Sequence, residues 1–322
     1  MQLGIIGLPQ AGKQTIFSAL TGTAYQVAKK GEHQIATIDV PDSRVDFLSD
    51  LYNPAKTTYA KVQYLLPHLP ARPDGGRMPD AALSHVRTSD ALIHVVRNFE
   101  LPGLPAPDPA RDFKALDEEL CFADLVVVEK RSERLAADKK RGKKPDPGEE
   151  ALLSACQAML EQGRPLRHDP ALANAPQLKG FTLLSAKPTL VVINNPDEDE
   201  SPPRGKGAWE KERFVVVRGK LEEELAQMTG EEAEVFLAEY GVADRAMDRM
   251  IHESYALLGM ISFFTVGEDE VRAWTIPRGT PAVEAAGAIH TDLQKGFIRA
   301  EVVAYQDLKN AGGFQEAKKQ GK

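Results

Sequence analysis

Gly7-Leu8-Pro9-Gln10-Ala11-Gly12-Lys13-Gln14-Thr15 is the stretch that decides how this chain is read. It follows an apolar run, Leu3-Gly4-Ile5-Ile6, and precedes Ile16, Phe17 and Leu20, which recur at helical spacing. Strand, glycine loop and helix in that order are the context a phosphate-binding P-loop requires. Consecutive backbone N–H groups at the helix start wrap a polyphosphate, and the helix dipole favours its negative charge. Gly12 allows close approach of the backbone, and Lys13 reaches the outer phosphates. One position departs from G-x-x-x-x-G-K-[ST]: Gln14 stands where a magnesium-binding hydroxyl belongs, and Thr15 follows one place late. The expected phosphate contacts are therefore Gln10, Ala11, Gly12, Lys13, Gln14 and Thr15, with Thr15 the candidate metal ligand.

Working outward, 322 residues allow two or three domains. A formal charge of −7 argues against broad, unspecific nucleic-acid affinity, though not against a local basic patch. The two cysteines, Cys121 and Cys156, fall in apolar helical patterns and read as buried reduced thiols, not as a disulfide or metal pair. The start of the chain lacks the pattern of a signal peptide, and no apolar run approaches the roughly 18 residues of a membrane span. A cytoplasmic, non-membrane protein is expected.

Strands are predicted at residues 3–7, 35–40, 62–66, 91–96 and 189–193, separated by helical or polar stretches, which implies a parallel sheet with crossover helices. Two irregular loops are expected at 23–33 and 67–79. Residues 112–135 read as a long helix, with Phe113, Leu116, Leu120, Ala123 and Val127 at steps of three and four. A polar break at 139–148 precedes a second stripe, Leu152, Leu153, Cys156, Met159 and Leu160, so the two helices form an antiparallel hairpin. Its tip carries Lys139, Lys140, Arg141, Lys143 and Lys144, either a solvated loop or a contact for RNA phosphate. Residues 194–206 form an acidic, proline-rich loop. Helices are expected at 221–228, 231–240 and 244–258, followed by strands at 261–266, 271–276 and 297–303 with a short helix at 282–289. The strand at 190–193 ends in Asn194-Asn195-Pro196-Asp197, an Asn-x-x-Asp spacing suited to reading a purine base.

The chain resembles the YchF-type, Obg-related P-loop NTPases of the translation-factor class. The resemblance rests on Gly4-Ile5-Ile6-Gly7-Leu8-Pro9, on Val40-Pro41-Asp42-Ser43-Arg44, and on Ser89-Asp90-Ala91-Leu92-Ile93-His94-Val95-Val96-Arg97. It is strongest in the tail: Ser262-Phe263-Phe264-Thr265-Val266-Gly267, Arg272-Ala273-Trp274-Thr275-Ile276, Ile289-His290-Thr291-Asp292 and Gly296-Phe297-Ile298-Arg299-Ala300-Glu301-Val302. It implies an α/β fold: a P-loop G-domain with a mostly parallel sheet, an inserted α-helical hairpin and a C-terminal β-grasp (TGS-like) α+β domain. The implied division is 1–112 and 173–258 for the G-domain, 113–172 for the hairpin and 259–322 for a β-grasp domain expected to be truncated. The resemblance also implies binding of GTP or ATP and association with the ribosome by a monomer.

The departures from the family concern the metal. The family's Asp-x-x-Gly motif falls on Tyr64-Leu65-Leu66-Pro67-His68, which puts Leu65 at the aspartate and His68 at the glycine. No equivalent of the first switch's magnesium-binding threonine is found between Thr23 and Val40, and Thr37 reads as a strand residue. With Gln14, three supports of the metal are weakened together. Phosphoryl transfer depends on positioning and charge neutralisation, so hydrolysis is expected to be weak or absent and any magnesium to be held mainly by nucleotide and water. Base recognition is better kept: Asn194 and Asp197 hold the reading positions, and the aspartate tilts the choice towards GTP. The family's later Ser-Ala contact is replaced by Arg218-Gly219. Two functions follow, a ribosome-associated purine-nucleotide NTPase with weak hydrolysis, or a catalytically inactive pseudo-NTPase that acts as a binding module.

Overall fold

The structure, a computed structural model, describes residues 1–22, 33–68, 80–144, 146–203, 209–239 and 245–322. Most of the two loops expected at 23–33 and 67–79 lies outside the described residues. In chain order the elements are β1 (Gln2–Ile6), α1 (Lys13–Thr21), β2 (Gln34–Asp39), α2 (Ser43–Tyr52), β3 (Lys56–Thr58), β4 (Lys61–Leu66), α3 (Asp80–Val86), β5 (Ala91–Arg97), α4 (Pro109–Lys140) and α5 (Pro147–Leu160). They continue with α6 (Pro170–Ala173), β6 (Thr189–Asn194), β7 (Arg213–Val217), α7 (Gly219–Gln227), α8 (Gly230–Glu239), α9 (Ala246–Leu257), β8 (Met260–Thr265), β9 (Glu270–Pro277), α10 (Ala282–Ile289), α11 (Thr291–Lys295), α12 (Tyr305–Ala311) and α13 (Phe314–Lys319).

Two compact units divide the chain: Met1–Ile38 with Val62–Leu257, and Asp39–Lys61 with Leu258–Lys322. The first holds a six-stranded sheet in the order β2-β4-β1-β5-β6-β7. Every adjacent pair from β4 to β7 is parallel. Its central strands are apolar on both faces, and β5 and β6 are buried throughout, as a parallel sheet covered by helices demands. Parallel strands place their carboxyl ends at one edge of the sheet, where the loops after β1 and β6 meet.

α4 and α5 form the expected antiparallel hairpin. Cys121, Val128, Leu135, Leu153, Cys156 and Met159 make its seam, and Arg131 clamps Glu149 through Nε at 2.7 Å and Nη2 at 2.9 Å. Both cysteines are free and buried, and burial pushes the Cys121 thiol up to about 12 and the Cys156 thiol to about 11. Asp124 of α4 is fully buried, and its carboxylate accepts from Leu184 N (2.9 Å), Ser185 N (2.7 Å) and Arg87 Nη1 (3.0 Å). A buried carboxylate is tolerated when charge-assisted bonds satisfy it, and this one ties the hairpin to the strand-proximal turn before β6.

In the second unit β9 pairs antiparallel with β8 and parallel with β3. The segment Asp39–Lys61 thus supplies a strand and helix α2 to the tail's small sheet, whereas the sequence reading assigned it to the G-domain. β3 is three residues long and carries no periodic signal. Arg272 lies over the Trp274 ring at 4.1 Å, and Trp274 Nε1 donates to Thr265 Oγ1 at 2.9 Å.

One expected strand is absent. Residues 297–303 form no strand, and Ile298 and Val302 are 91% and 80% exposed. The alternating pattern is strand-like, but a strand exists only through ladder partners, and none of the described strands pairs with this segment. Strands β3 and β7 and helices α2, α12 and α13 were not anticipated.

Candidate functional site

β1 ends at Ile6, and α1 starts at Lys13 with Gly12 as its N-terminal cap in the left-handed conformation, φ 91° and ψ 21°. Gln10 also has positive φ, 62°. The loop therefore turns sharply and leaves the first N–H groups of α1 facing outward, a ready anion cradle. Glycine is also required at the cap by packing inside the protein. A Cβ built on Gly12 would lie 2.2 Å from Asn194 Nδ2, so no other residue is accommodated there.

Lys13 is 8% exposed, and its Nζ donates to the carbonyls of Gly7 (2.9 Å) and Leu8 (2.6 Å). Burial without a carboxylate partner pulls its pKa from 10.5 to about 8. The ammonium is held by neutral carbonyls within the loop that a phosphate would occupy. A triphosphate there gives the lysine the counter-charge it lacks.

Asn194, at the end of β6 and 3% exposed, joins two parts of the site. Its Nδ2 donates to Ala11 O at 3.2 Å, and its Oδ1 accepts from Gly219 N at 3.0 Å. A Cβ on Gly219 would fall 2.6 Å from that oxygen. The P-loop, the end of β6 and the start of α7 are thus clasped by one carboxamide, with a glycine on each side of it. Asp197 is half-buried, and its Oδ1 accepts from Leu221 N at 3.1 Å, which caps the first turn of α7. Asn195 supports this turn by donating from Nδ2 to Asp199 O (2.9 Å) and Ser201 O (2.8 Å). Sequence reading took Arg218-Gly219 as a replacement that removes or reshapes the family's contact, and did not anticipate that Gly219 completes the clasp. The adjacent asparagines at a strand end were the signal available.

The magnesium side is built differently. Gln14 is exposed at the second residue of α1. Thr15 is half-buried one residue on, and a one-residue shift turns a side chain by about 100° around the helix. Leu65 is 4% exposed and packs with Ile6, Leu83, Val86, Leu92, Leu116 and Leu184 in the apolar core. His68 offers its backbone N–H to His33 Nδ1 at 3.1 Å, and the rings of His33 and His85 lie 3.6 Å apart. Thr37 lies in β2 and is exposed. Among the described residues no group of three or more His, Cys, Asp or Glu side chains is placed to hold a metal ion. The described residues fit a triphosphate and include no ligand set for a protein-held magnesium.

At the hairpin tip, Lys139 pairs with Glu150 (2.7 Å) and Lys143 with Asp138 (3.0 Å). Lys140, Arg141 and Lys144 are exposed and make no ion pair among the described residues. The tip's positive charge is therefore partly neutralised by its own helices. Among the described residues no helix is long and apolar enough to cross a membrane.

Comparison with known proteins agrees with this arrangement. The family model YchF-GTPase_C, described as a protein of unknown function (DUF933), matches residues 260–322. The chain is 36% identical over 339 residues to the ribosome-binding ATPase YchF of Bacillus subtilis, covering 99% of this chain and 93% of that protein. It is 33% identical to the Obg-like ATPase 1 of Oryza sativa subsp. indica, covering 100% of this chain and 87% of that one. Among solved structures, the YchF GTPase of Schizosaccharomyces pombe superposes with a TM-score of 0.83 at 29% identity, over 100% of this chain and 92% of its own. A P-loop clasped to the strand that carries Asn-x-x-Asp, a helical hairpin and a matching tail together make this chain a member of the YchF family of Obg-related P-loop NTPases.

Proposed function

We propose that this chain binds a purine nucleoside triphosphate, GTP or ATP, and works in association with the ribosome, with weak hydrolysis. The observation that carries the reading is the buried Lys13 ammonium, held by two neutral carbonyls beside the left-handed Gly12 and the Asn194 clasp. Residues 10–15 cradle the phosphates, Lys13 neutralises the outermost charge, and Asn194 holds the loop against the base-binding turn. Asp197 uses one carboxylate oxygen on Leu221 N and offers the other to the base. A carboxylate accepts from the guanine edge and not from adenine, which favours GTP modestly because Arg218-Gly219 reshapes the neighbouring contact. A divalent cation would arrive with the nucleotide, since Gln14, Leu65 and His68 provide no ligand set.

Equilibrium binding with excess magnesium and with chelator, followed by single-turnover hydrolysis, tests this. Triphosphate binding that changes little on chelation, with slow turnover, is expected. Rapid magnesium-dependent turnover overturns the weak-hydrolysis part. Absence of binding in the folded protein leaves the pseudo-NTPase as the surviving account.

The relatives' names supply the ribosome as partner, and a monomer completes the proposal, its G-domain carrying the hairpin 113–172 and its tail domain taking 39–61 together with 258–322. Lys140, Arg141 and Lys144 on the tip, with Arg272, His290 and Arg299 in the tail, are the contact candidates. Co-sedimentation with ribosomes at rising salt, for the wild type and for charge reversals of each set, locates the contact. Phosphate contacts weaken steeply with salt. Retention of both variants at wild-type levels places it elsewhere.

A further inference from the structure

We propose that the first unit carries a second anion site, a cleft at the amino-terminal ends of β6 and β7 that binds a small organic phosphate. The cleft encloses about 480 Å³, within the range of small-molecule sites. Thr189 and Arg213, the first residues of β6 and β7, stand at its base. Asn194 of the nucleotide site ends the same strand β6, so the two sites lie at opposite edges of the sheet, about 17 Å apart along the strand.

The lining has the wrong charge for an acidic chain. Arg167, Lys179, Lys187, Lys211 and Arg213 face Asp90 and Glu212 there, although the whole chain carries a formal −7. Two of these cations are already answered. Arg167 bonds Asp117 at 2.6 Å and Glu212 at 2.7 Å, and Arg213 bonds Glu253 at 2.8 Å. Lys179, Lys187 and Lys211 form no ion pair among the described residues. Lys187 is half-buried, its ammonium donates to the neutral Ser89 carbonyl, and burial lowers its pKa against the opposing pull of Asp90 and Asp124. Arg167 Nη1 is a buried donor with no partner among the described residues. Cations that outnumber the carboxylates of a concave cleft are stabilised by an anion.

The remaining lining selects the class. Leu172, Leu178 and Leu183 give an apolar wall for a carbon body, and Asn174 and Thr182 give polar contacts for hydroxyls. Among the described residues no Phe, Tyr or Trp lines the cleft, and its one imidazole, His168, is engaged by Glu212 at 2.7 Å, so it lacks the stacking platform on which single-stranded RNA is held. The combination suits a phosphorylated small molecule better than a nucleic-acid track.

Isothermal titration with glucose 1,6-bisphosphate and with inorganic pyrophosphate tests the site. The protein is first saturated with a non-hydrolysable triphosphate so that the P-loop is closed to both probes. Binding is expected in the wild type, with about tenfold loss in Lys179→Glu/Lys211→Glu and unchanged triphosphate affinity. Both lysines are exposed, so the fold is expected to survive, as a melting curve will show. Lys179→Gln/Lys211→Gln, with about threefold loss, serves if the reversal does not fold. Binding of neither probe, or binding equal in wild type and variants, overturns the proposal. So does dependence on these lysines for a twelve-nucleotide single-stranded RNA but for neither probe.

Discussion

The phosphate half and the metal half of one nucleotide site follow opposite rules here. In the first, each group is held by another: Gly12 and Gly219 leave room for Asn194, which bonds both Ala11 and Gly219, and Lys13 is buried on loop carbonyls. In the second, Gln14 points into solvent, Leu65 has joined the apolar core and His68 engages another histidine through its backbone. A site whose ligand-binding parts depend on one another resists single substitutions. A ligand set of independent side chains can be lost one member at a time. The difference teaches that the phosphate loop and the expected metal positions are built independently on this scaffold.

The largest expected effect comes from trying to restore the second half directly. Leu65→Asp returns the aspartate that the family pattern places there, but into a cluster with Ile6, Leu92, Leu116 and Leu184. An unpaired carboxylate in such a cluster is expected to lower stability by about 4 kcal/mol, measured by chemical denaturation. A stable variant with new magnesium-dependent binding would show that the metal half is merely missing a ligand.

Next in size is Lys13→Ala. It removes a charge-assisted contact to the outer phosphates, and a loss of about thirtyfold in triphosphate affinity is expected. Diphosphate binding should fall less, because the terminal phosphate bears most of the contact. Equal losses for both would place the lysine elsewhere and blur the division between the two halves.

How much of this was legible in the sequence follows the same division. The P-loop was readable because its physics is local: a turn, a glycine and a lysine within nine residues, between an apolar strand and a helix. The central strands were readable because both their faces are buried and their composition shows it. The Asn194 clasp was not, because its partners lie 183 and 25 positions away. The burial of Asp124 was not readable either, because it depends on amides 60 and 61 positions on. β3 was invisible because three residues without alternation become a strand only when β9 offers its edge. Residues 297–303 show the converse, a good strand pattern with no ladder among the described strands.

A third test uses pH. Burial holds the Lys13 pKa at about 8, against 10.5 for a free lysine. Below pH 8 the ammonium is charged in the free protein and ready for phosphate. Above it, a proton must be taken up on binding, so ATP affinity should fall as the pH rises from 8 to 10 and level off within the roughly thirtyfold loss expected of Lys13→Ala. Over the same window the unfolded chain still holds that proton, so the lysine's contribution to folding stability rises with pH. Affinity and stability should therefore move in opposite directions. Affinity that stays flat to pH 10 would mean the lysine is not desolvated, and the tightness of the phosphate half would be overstated.

The smallest effect is the sharpest probe of the boundary between the halves. Gln14→Ser restores one hydroxyl directly after the lysine, on the helix face that Thr15 leaves by its shift of about 100°. Because Gln14 is exposed, the change disturbs no packing and stability should be unaltered within about 0.5 kcal/mol. One added ligand is expected to raise triphosphate affinity about threefold with magnesium and not at all with chelator. Single-turnover hydrolysis should rise less than affinity, since Leu65 and His68 still leave the metal unsupported on its other side and positioning governs the rate. The decisive comparison is the ratio of the two gains. If hydrolysis rises more than binding, one hydroxyl was the missing element and the metal half is closer to function than its buried leucine suggests. If the wild type already shows as large a magnesium dependence as the variant, Gln14 is not a lost ligand, and the two halves differ less than their geometry implies.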